Sequence, residues 1–240
     1  MKSAQKAVEL QRAYYTETAG TYNSMHMEGN DPEQNLALSL MHGLSLFCQV
    51  ESILDVGSGT GRVILSLQDK LPDVRIVGIE PVAALREIGY KNGISQTALV
   101  DGDATSLAYA DGSFDLVCAY AVLHHIPNPR LAIADMLRVA KKAVFISDSN
   151  RFGQGSYVGR LVKLFCCKMK LWPIVNYIKT KGKGYTDLTS IGDGIAFSYS
   201  IFDDYDYIAR HCKSVLVFNL DGGGKRAITD ASKVGLLAIK

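Results

Sequence analysis

A glycine-rich loop within residues 53–63, ILDVGSGTGRV, has the composition of a nucleotide-binding loop. No lysine follows its glycines, so it is not the P-loop that holds a nucleoside triphosphate. A dinucleotide loop would have its third glycine at position 62, which is Arg62, whereas the third glycine here is Gly61. Asp55, just upstream, would repel a pyrophosphate but would attract an ammonium or sulfonium group. The loop therefore predicts a cofactor site suited to a cationic group.

Short apolar strands alternate with helices around this loop. We predict strands at 52–56, 74–79, 98–100, 114–119 and 143–147, and helices at 60–70, 82–91 and 129–139. Such alternation indicates βαβ units and a parallel sheet. Runs such as RIVGI and AVFIS are apolar throughout, which fits a sheet that helices cover on both faces.

Two further regions flank the alternating part. An N-terminal helical cap of about 1–48 includes a helix that Asp31-Pro32-Glu33 begins and that runs to about Phe47. A lid insertion of about 150–200 interrupts the rhythm. The pattern then resumes with a helix at 203–211 and strands at 214–219 and 233–239, which the turn DGGG at 221–224 predicts to be antiparallel neighbours. We expect a single domain over residues 1–240.

Four sequence segments resemble motifs of the class I S-adenosylmethionine-dependent methyltransferases, particularly of their small-molecule group. They are the motif Asp55–Gly61, the acid of IVGIEP, the second acid of VDGDATSL and the run FDLVCAYAVLHHIPNP. The resemblance covers residues 50–148 well and the last two strands loosely. It implies a three-layer α/β fold whose doubly wound, seven-stranded sheet is mostly parallel, with one antiparallel strand near the C-terminus. It also implies methyl transfer from S-adenosylmethionine to the oxygen or nitrogen of a small molecule.

The resemblance assigns the cofactor contacts. Glu80 would bind both ribose hydroxyls, which suits a carboxylate because it can accept two hydrogen bonds. Asp103 would receive the adenine amino group. The residues so implied are Asp55, Gly57, Ser58, Gly59, Gly61, Glu80, Pro81, Asp103, Ala104, Ala119 and Tyr120.

Tyrosines precede the core in the run YYTETAGTYNSMH, which resembles the segment that closes over the cofactor in this group. Aromatic faces attract a sulfonium by cation–π interaction. We therefore expect Tyr14 and Tyr22, with the adjacent Tyr15, at the cofactor. The alternative is a helix that packs its apolar stripe on the domain.

Methyl transfer needs a general base only when the nucleophile carries a proton. His124 and His125 are the candidates, with Asp148 facing the same cleft. The alternative is a structural role, in which the histidines cap a turn or pack under the cofactor and Asp148 lies in a solvated turn. The sequence predicts no metal site.

Residues 151–185 are strongly basic. They contain eight of the 26 Lys and Arg residues and no acid, which leaves 18 bases against 24 acids elsewhere. Apolar residues recur there at helical spacing, at Val158, Leu161, Val162, Phe165 and Met169. A basic amphipathic helix is typical of peripheral membrane contact or of an anionic ligand. The alternative is a lid helix with solvated lysines.

Insertions of this kind commonly form the acceptor pocket. The candidates for acceptor binding are Asn150, Arg151, Tyr185, Phe197, Tyr199 and Asp204. The basic insertion leaves an acidic, phosphorylated or lipid-linked acceptor open.

Two other functions stay open at this point. An RNA or tRNA methyltransferase could use the basic lid on phosphates. However, amino-methylating members carry Asn/Asp-Pro-Pro-Tyr after the fourth strand, where this chain has Ala119-Tyr120-Ala121-Val122. A non-catalytic module that binds S-adenosylmethionine is the second alternative, and the intact acids Asp55, Glu80 and Asp103 argue against it.

The composition is that of a soluble globular protein, with 48% hydrophobic residues, 21% charged residues and a formal net charge of +2. The five cysteines form no C-x-x-C pair, which favours free thiols in a reducing compartment. No signal-peptide core and no membrane-spanning apolar run occur. We expect a cytoplasmic protein, and the sequence does not indicate its oligomeric state.

Overall fold

The computed structural model describes residues 2–26, 31–221 and 226–240. The elements follow one another as α1 (Lys2–Thr18), α2 (Tyr22–His26), α3 (Pro32–Phe47), β1 (Ser52–Val56), α4 (Arg62–Leu67), β2 (Arg75–Ile79), α5 (Ala83–Lys91), β3 (Leu99–Val100), β4 (Phe114–Tyr120), α6 (Pro129–Val139), β5 (Ala140–Ser149), α7 (Tyr157–Lys168), α8 (Trp172–Lys179), β6 (Tyr185–Asp187), β7 (Ile195–Phe197), α9 (Tyr205–Arg210), β8 (Ser214–Asn219), α10 (Ala227–Asp230) and β9 (Lys233–Ile239).

A seven-stranded sheet in the order β3-β2-β1-β4-β5-β9-β8 forms the centre of the molecule. Strands β1 to β5 pair in parallel, whereas β9 runs antiparallel to both β5 and β8. This confirms the predicted fold, including its antiparallel C-terminal strand. Strand β1 lies between β2 and β4, so the strand order reverses there. Ligands of open α/β sheets bind beside the carboxyl ends of strands at such a switch point.

Helices cover both faces of the sheet because the strands are apolar on both sides. Ile53 of β1 packs with the side of α3 and α4, while its neighbour Leu54 packs with the side of α6 and α9. Alternate residues of a strand point to opposite faces, so each strand contributes to both cores. The result is a three-layer α/β/α arrangement in which the strand ends hold the loops of the site rigidly.

The observed ends of α3, α4 and β5 each have a physical cause. The Asp31 carboxylate accepts a hydrogen bond from Gln34 N at 3.1 Å, which confirms the predicted helix start. Helix α4 is shorter than the predicted 60–70, because Gly61 takes a left-handed conformation before it and Pro72 disfavours helix at the preceding residue. Strand β5 is longer than predicted at both ends because it has paired neighbours on both sides.

The insertion contains structure that the sequence pattern did not predict. The predicted apolar helix is α7, but Pro173 lies in the first turn of a second helix, α8, instead of ending the segment. Beyond α8, strands β6 and β7 form a small antiparallel ladder of their own. The predicted antiparallel pairing of β8 and β9 is confirmed, although residues 222–225 of their turn lie outside the described residues.

Candidate functional site

A cavity of about 830 Å³ lies beside the carboxyl ends of β1, β2 and β4, where the strand order reverses. Helix α1 and the segments after β5 contribute its outer walls. The residues predicted from the sequence that line it are Asp55, Gly57, Ser58, Gly59, Glu80, Pro81, Asp103, Ala104, Tyr120, Tyr22, His124, His125, Asp148, Arg151, Phe197 and Tyr199. The cavity therefore brings together candidates for cofactor binding, catalysis and acceptor binding.

The loop after β1 is tightly folded because its three glycines adopt left-handed conformations. The φ angles are 73° at Gly57, 57° at Gly59 and 86° at Gly61. A Cβ atom on Gly61 would lie 2.0 Å from Ile94 Cδ1, and one on Gly59 would lie 2.9 Å from the Tyr22 hydroxyl. Side chains at these positions would therefore clash with their neighbours and would strain the left-handed backbone, which glycine adopts freely.

Asp55 is hydrogen-bonded to the glycine-rich loop through its carboxylate. Its carboxylate accepts a hydrogen bond from the Ser58 hydroxyl at 2.6 Å and is 1% exposed. Burial raises the pKa of Asp55 to about 6, while the hydrogen bonds from Ser58 and Cys118 oppose that rise. The side chain therefore fixes the loop conformation and places a negative group at the inner end of the cavity.

Glu80 joins the end of β2 to the same loop. Its two carboxylate oxygens accept hydrogen bonds from Gly59 N at 3.0 Å and from Val82 N at 2.9 Å. Burial raises the pKa of Glu80 to about 7 against the effect of these bonds. Each oxygen keeps a second lone pair, so the carboxylate can still accept two hydroxyl donors from a ligand.

Asp103 lies half-exposed at the outer end of the cavity, beyond β3. Its carboxylate accepts hydrogen bonds from the backbone and hydroxyl of Thr105 and from Arg12 of α1, the last at 2.8 Å. Burial acts to raise the pKa of Asp103, but these donors hold it below its ordinary value. Arg12 was not predicted from the sequence, since nothing in a surface-type arginine indicates that its helix folds back over the sheet.

His124 and Asp148, which both line the cavity, form a buried ion pair. The Asp148 carboxylate accepts hydrogen bonds from His124 Nδ1 at 2.7 Å and from Leu123 N at 2.8 Å. Burial by itself would lower the pKa of His124, but the carboxylates of Asp148 and Asp193 raise it to about 10. His124 is therefore an imidazolium at neutral pH, and Asp148 is its counter-ion.

His125, unlike His124, is uncharged at neutral pH. Burial and the adjacent positive charge of His124 lower its pKa to about 4. Its Nδ1 lies 2.8 Å from the Ile195 carbonyl, which can only accept, so Nδ1 carries the proton and Nε2 keeps its lone pair. That lone pair faces the Tyr15 hydroxyl at 3.3 Å.

Asp193 completes this group and was not predicted. Its carboxylate oxygens lie 3.6 Å from the Nε2 atoms of His124 and His125. Within the described ranges, one atom of each of these three side chains lies within 4.8 Å of the others, but His124 in its protonated state has no lone pair with which to hold a cation. The signal was present in the sequence as an acid between Gly192 and Gly194, both of which take left-handed conformations here.

Helix α1 closes the cavity through side chains spaced along one face. Tyr15 packs edge-to-face with Tyr22, with ring centroids 5.7 Å apart, and Gln11 Oε1 accepts a hydrogen bond from Ile195 N. Tyr14 does not line the cavity; its hydroxyl donates to the Thr189 carbonyl at 3.4 Å. Of the three tyrosines expected at the cofactor, Tyr15 and Tyr22 therefore line the cavity and Tyr14 does not.

Several other candidates lie outside the cavity for clear physical reasons. Asn150 is fully buried and donates its amide to the carbonyls of α10 and Ala231, which ties the insertion to the domain. Asp204 pairs with Arg130 at 2.7 Å. The predicted residues that do not line the cavity are Gly61, Ala119, Tyr14, Asn150, Tyr185 and Asp204.

The end of the cavity lined by the insertion carries positive charge and one hydroxyl with no hydrogen-bond partner among the described residues. Lys163 and Lys179 line it together with Arg151, which pairs with Asp203. Burial and the charges of Lys179 and its neighbours lower the pKa of Lys163. The Tyr199 hydroxyl is buried and has no hydrogen-bond partner among the residues described. These features provide for a polar, anionic group.

Comparison with known proteins places residues 54–146 in the family described as a methyltransferase domain. A demethylmenaquinone methyltransferase of Roseiflexus castenholzii is 30% identical over 121 residues, which cover 46% of this chain and 51% of that protein. The ajmaline N-methyltransferase of Rauvolfia serpentina is 32% identical over 100 residues, which cover 40% of this chain and 34% of that protein. The chain spans about half, or less, of the length of such curated relatives.

Solved structures share the fold over nearly the whole chain. The magnesium protoporphyrin IX methyltransferase of Synechocystis PCC 6803, solved with bound SAH, has a TM-score of 0.63 at 12% identity and covers 98% of this chain and 99% of that one. A possible histamine N-methyltransferase of Thermotoga maritima has a TM-score of 0.56 at 18% identity, with 95% and 99% covered. At these identities the likeness concerns the fold.

Proposed function

We propose that this chain is a class I S-adenosylmethionine-dependent methyltransferase that transfers a methyl group from S-adenosylmethionine to a small organic acceptor. The observation that carries the proposal is the convergence of Asp55, Glu80 and Asp103 on one cavity at the switch point of the sheet. Each acid lies at the end of a different strand or in the loop that follows it. A structural role alone would not require all three to face the same space.

The residues present fit this cofactor. The left-handed glycines let the backbone approach it, Glu80 keeps lone pairs for a ribose diol, and Asp103 with Arg12 lies where the adenine would bind. Tyr15 and Tyr22 offer aromatic faces to a positive sulfur. When bound, the cofactor supplies an electrophilic methyl group on a sulfonium. The protein therefore has to orient the two reactants and exclude water.

We assign different roles to His124 and His125. The imidazolium of His124 is held by Asp148 and cannot accept a proton at neutral pH, so we assign it and Asp148 to positioning the wall of the cavity. The Nε2 lone pair of His125 accepts from the Tyr15 hydroxyl at 3.3 Å, so it can accept a hydrogen bond or a proton from the acceptor once that hydroxyl turns away. Because its pKa is low, His125 is a weak base, which favours an acceptor whose nucleophile does not have to be deprotonated first, such as a neutral amine or an anionic oxygen.

An anionic acceptor also fits the charge of the cavity. Burial and the neighbouring cations lower the pKa of Lys163, and a negative group on the acceptor would offset both effects. The Tyr199 hydroxyl lacks a partner among the described residues and could donate to the same group. We therefore propose an oxygen or nitrogen nucleophile on a molecule that carries a carboxylate, phosphate or phenolate.

The test is methyl transfer from labelled S-adenosylmethionine to a panel of matched anionic and cationic acceptors, together with short RNAs. We expect the wild type to methylate anionic small molecules. In the Tyr199→Phe variant we expect the KM for these acceptors to rise while S-adenosylhomocysteine binds as before. Turnover confined to RNA would instead support the nucleic-acid alternative. Cofactor binding without turnover on any member of the panel would support the non-catalytic module.

A further inference from the structure

The helical hairpin of α7 and α8 presents an apolar surface to solvent. We call this the hairpin surface and define it by Val158, Val162, Phe165, Met169, Ile174 and Ile178. These side chains are between 54 and 71% exposed. Isolated exposed apolar residues are common, but four at helical spacing along α7 and its C-cap, and two more on the next helix, indicate a binding surface.

The polar face of α7 packs against the rest of the protein, and hydrogen bonds from Lys163 and Arg160 fix this orientation. Lys163 Nζ donates to the carbonyls of Arg151 and Gln154, both at 2.9 Å. Arg160 donates to the carbonyls of Gly155 and Thr229 at 2.9 and 3.1 Å. A lid helix ordinarily buries its apolar stripe. Here the basic residues anchor the helix, so the apolar stripe has to face outward.

Positive charge surrounds the hairpin surface. Lys168, Lys170 and Lys181 are exposed at the ends of the two helices, and residues 151–185 contain no Asp or Glu. The rest of the chain carries 24 acids against 18 bases. A partner for this surface must therefore offer apolar contact and negative charge together. A second copy of the hairpin would instead bring like charges face to face.

We propose that the hairpin surface docks on an anionic lipid bilayer. The apolar side chains would enter the boundary between headgroups and acyl chains, while the lysines contact lipid phosphates. None of the helices that the structure describes has the length and apolar run needed to cross a bilayer, so contact of this kind is peripheral. The docking does not depend on the proposed methyl transfer.

Docking would also position the cavity. Trp172 and Lys179 of the hairpin line the acceptor end, so a bilayer at the hairpin surface lies next to the place where the acceptor enters. If the proposed function holds, an amphiphilic acceptor could then reach the site from the lipid phase.

Vesicle flotation of the full chain tests the docking. We expect binding to vesicles of phosphatidylcholine mixed with phosphatidylglycerol, weaker binding to phosphatidylcholine alone, and loss of binding as salt rises. Phe165→Asp/Ile178→Asp should reduce the partition constant about tenfold or more, because charged residues replace inserted apolar ones. Lys168→Glu/Lys170→Glu/Lys181→Glu should reduce it on anionic vesicles by about tenfold or more.

Matched controls use exposed positions elsewhere. Phe47→Asp, at a side chain 76% exposed on α3, and Lys70→Glu should float as the wild type does. Calorimetry with S-adenosylhomocysteine on every variant reports separately on the cofactor site and on folding. The proposal is overturned if hairpin and control variants float equally, or if sedimentation shows a dimer that Phe165→Asp/Ile178→Asp alone dissociates.

Discussion

Two buried carboxylates, Asp55 and Glu80, determine how the glycine loop is held. Both are almost inaccessible to solvent, and burial raises both pKa values, to about 6 and about 7. Burying such groups costs folding free energy that their hydrogen bonds to the loop only partly recover. Acids in strained environments that face a cavity are typical of functional sites. Their placement is therefore better explained by ligand binding than by stability.

Removing either carboxylate should weaken the cofactor site. We expect Asp55→Ala and Glu80→Ala each to lower the affinity for S-adenosylmethionine at least tenfold, about 1.4 kcal/mol, because one loses the loop anchor and the other the ribose acceptor. Equilibrium dialysis with labelled cofactor measures this. Asp101→Ala is the matched control, since Asp101 pairs with Arg86 at the surface and does not line the cavity. Unchanged affinity in Asp55→Ala or Glu80→Ala would contradict the assignment.

The ion pair of His124 and Asp148 should make stability depend on pH. The pKa of His124 is raised from 6.5 to about 10, so its contribution to stability is complete below pH 6.5 and is lost as the pH rises toward 10. Within that window the free energy of unfolding should fall by at most about 1.4 kcal/mol per pH unit from this group. Urea unfolding at several pH values measures the slope.

The double variant His124→Gln/Asp148→Asn provides the comparison, because it removes both charges together and leaves neither buried alone. We expect its unfolding free energy to vary less with alkaline pH than that of the wild type. His211→Gln changes an exposed histidine and should leave the slope as it is. A wild-type slope in the double variant would show that His124 is not charged in the folded protein.

At the scale of elements, the sequence predicted the parts of the fold that local pattern determines. The bounds of β1, α6, β8 and β9 agree with the structure because the apolar pattern within each segment is enough to define it. The positions of Asp55 and Glu80 followed likewise from the ends of β1 and β2. The inference was local in each case and needed no knowledge of distant contacts.

The elements that depend on distant contacts were not predicted. Asp193 reaches the histidines only because β6 and β7 pair, and Arg12 reaches Asp103 only because α1 folds across the strand ends. The amphipathic pattern of α7 was recognised, but its outward orientation depends on Arg160 and Lys163 finding carbonyls elsewhere in the chain. Periodicity shows that a helix has two faces; it does not show which one is buried.

Helix α1 should be ordered further by the cofactor. Of its residues whose burial is described only Ala7 and Gln11 are buried, so polar contacts more than buried apolar surface hold it, and it contributes Arg12 and Tyr15 to the cavity. We expect S-adenosylhomocysteine to slow amide hydrogen exchange over residues 2–26 by about tenfold or more. Mass spectrometry measures this, with α6 as the internal control. Equal exchange with and without ligand would show that α1 does not close over the cofactor.

At the scale of the whole molecule, the sheet places two surfaces beside each other. The cavity lies at the switch point of the strands, and the basic insertion forms its outer wall. The chain is nearly neutral in total, yet its bases are concentrated in that wall while acids exceed bases elsewhere. Such a separation orients the molecule in the field of an anionic partner or ligand.

The most direct test of the account is calorimetry on the wild-type chain with four ligands: S-adenosylmethionine, S-adenosylhomocysteine, NAD and ATP. The account predicts that the first two bind at one site per chain and that the phosphorylated nucleotides do not, because the loop lacks the P-loop lysine and carries Asp55 instead. Binding of NAD or ATP in preference to S-adenosylmethionine, or no binding of S-adenosylmethionine and S-adenosylhomocysteine, would contradict it.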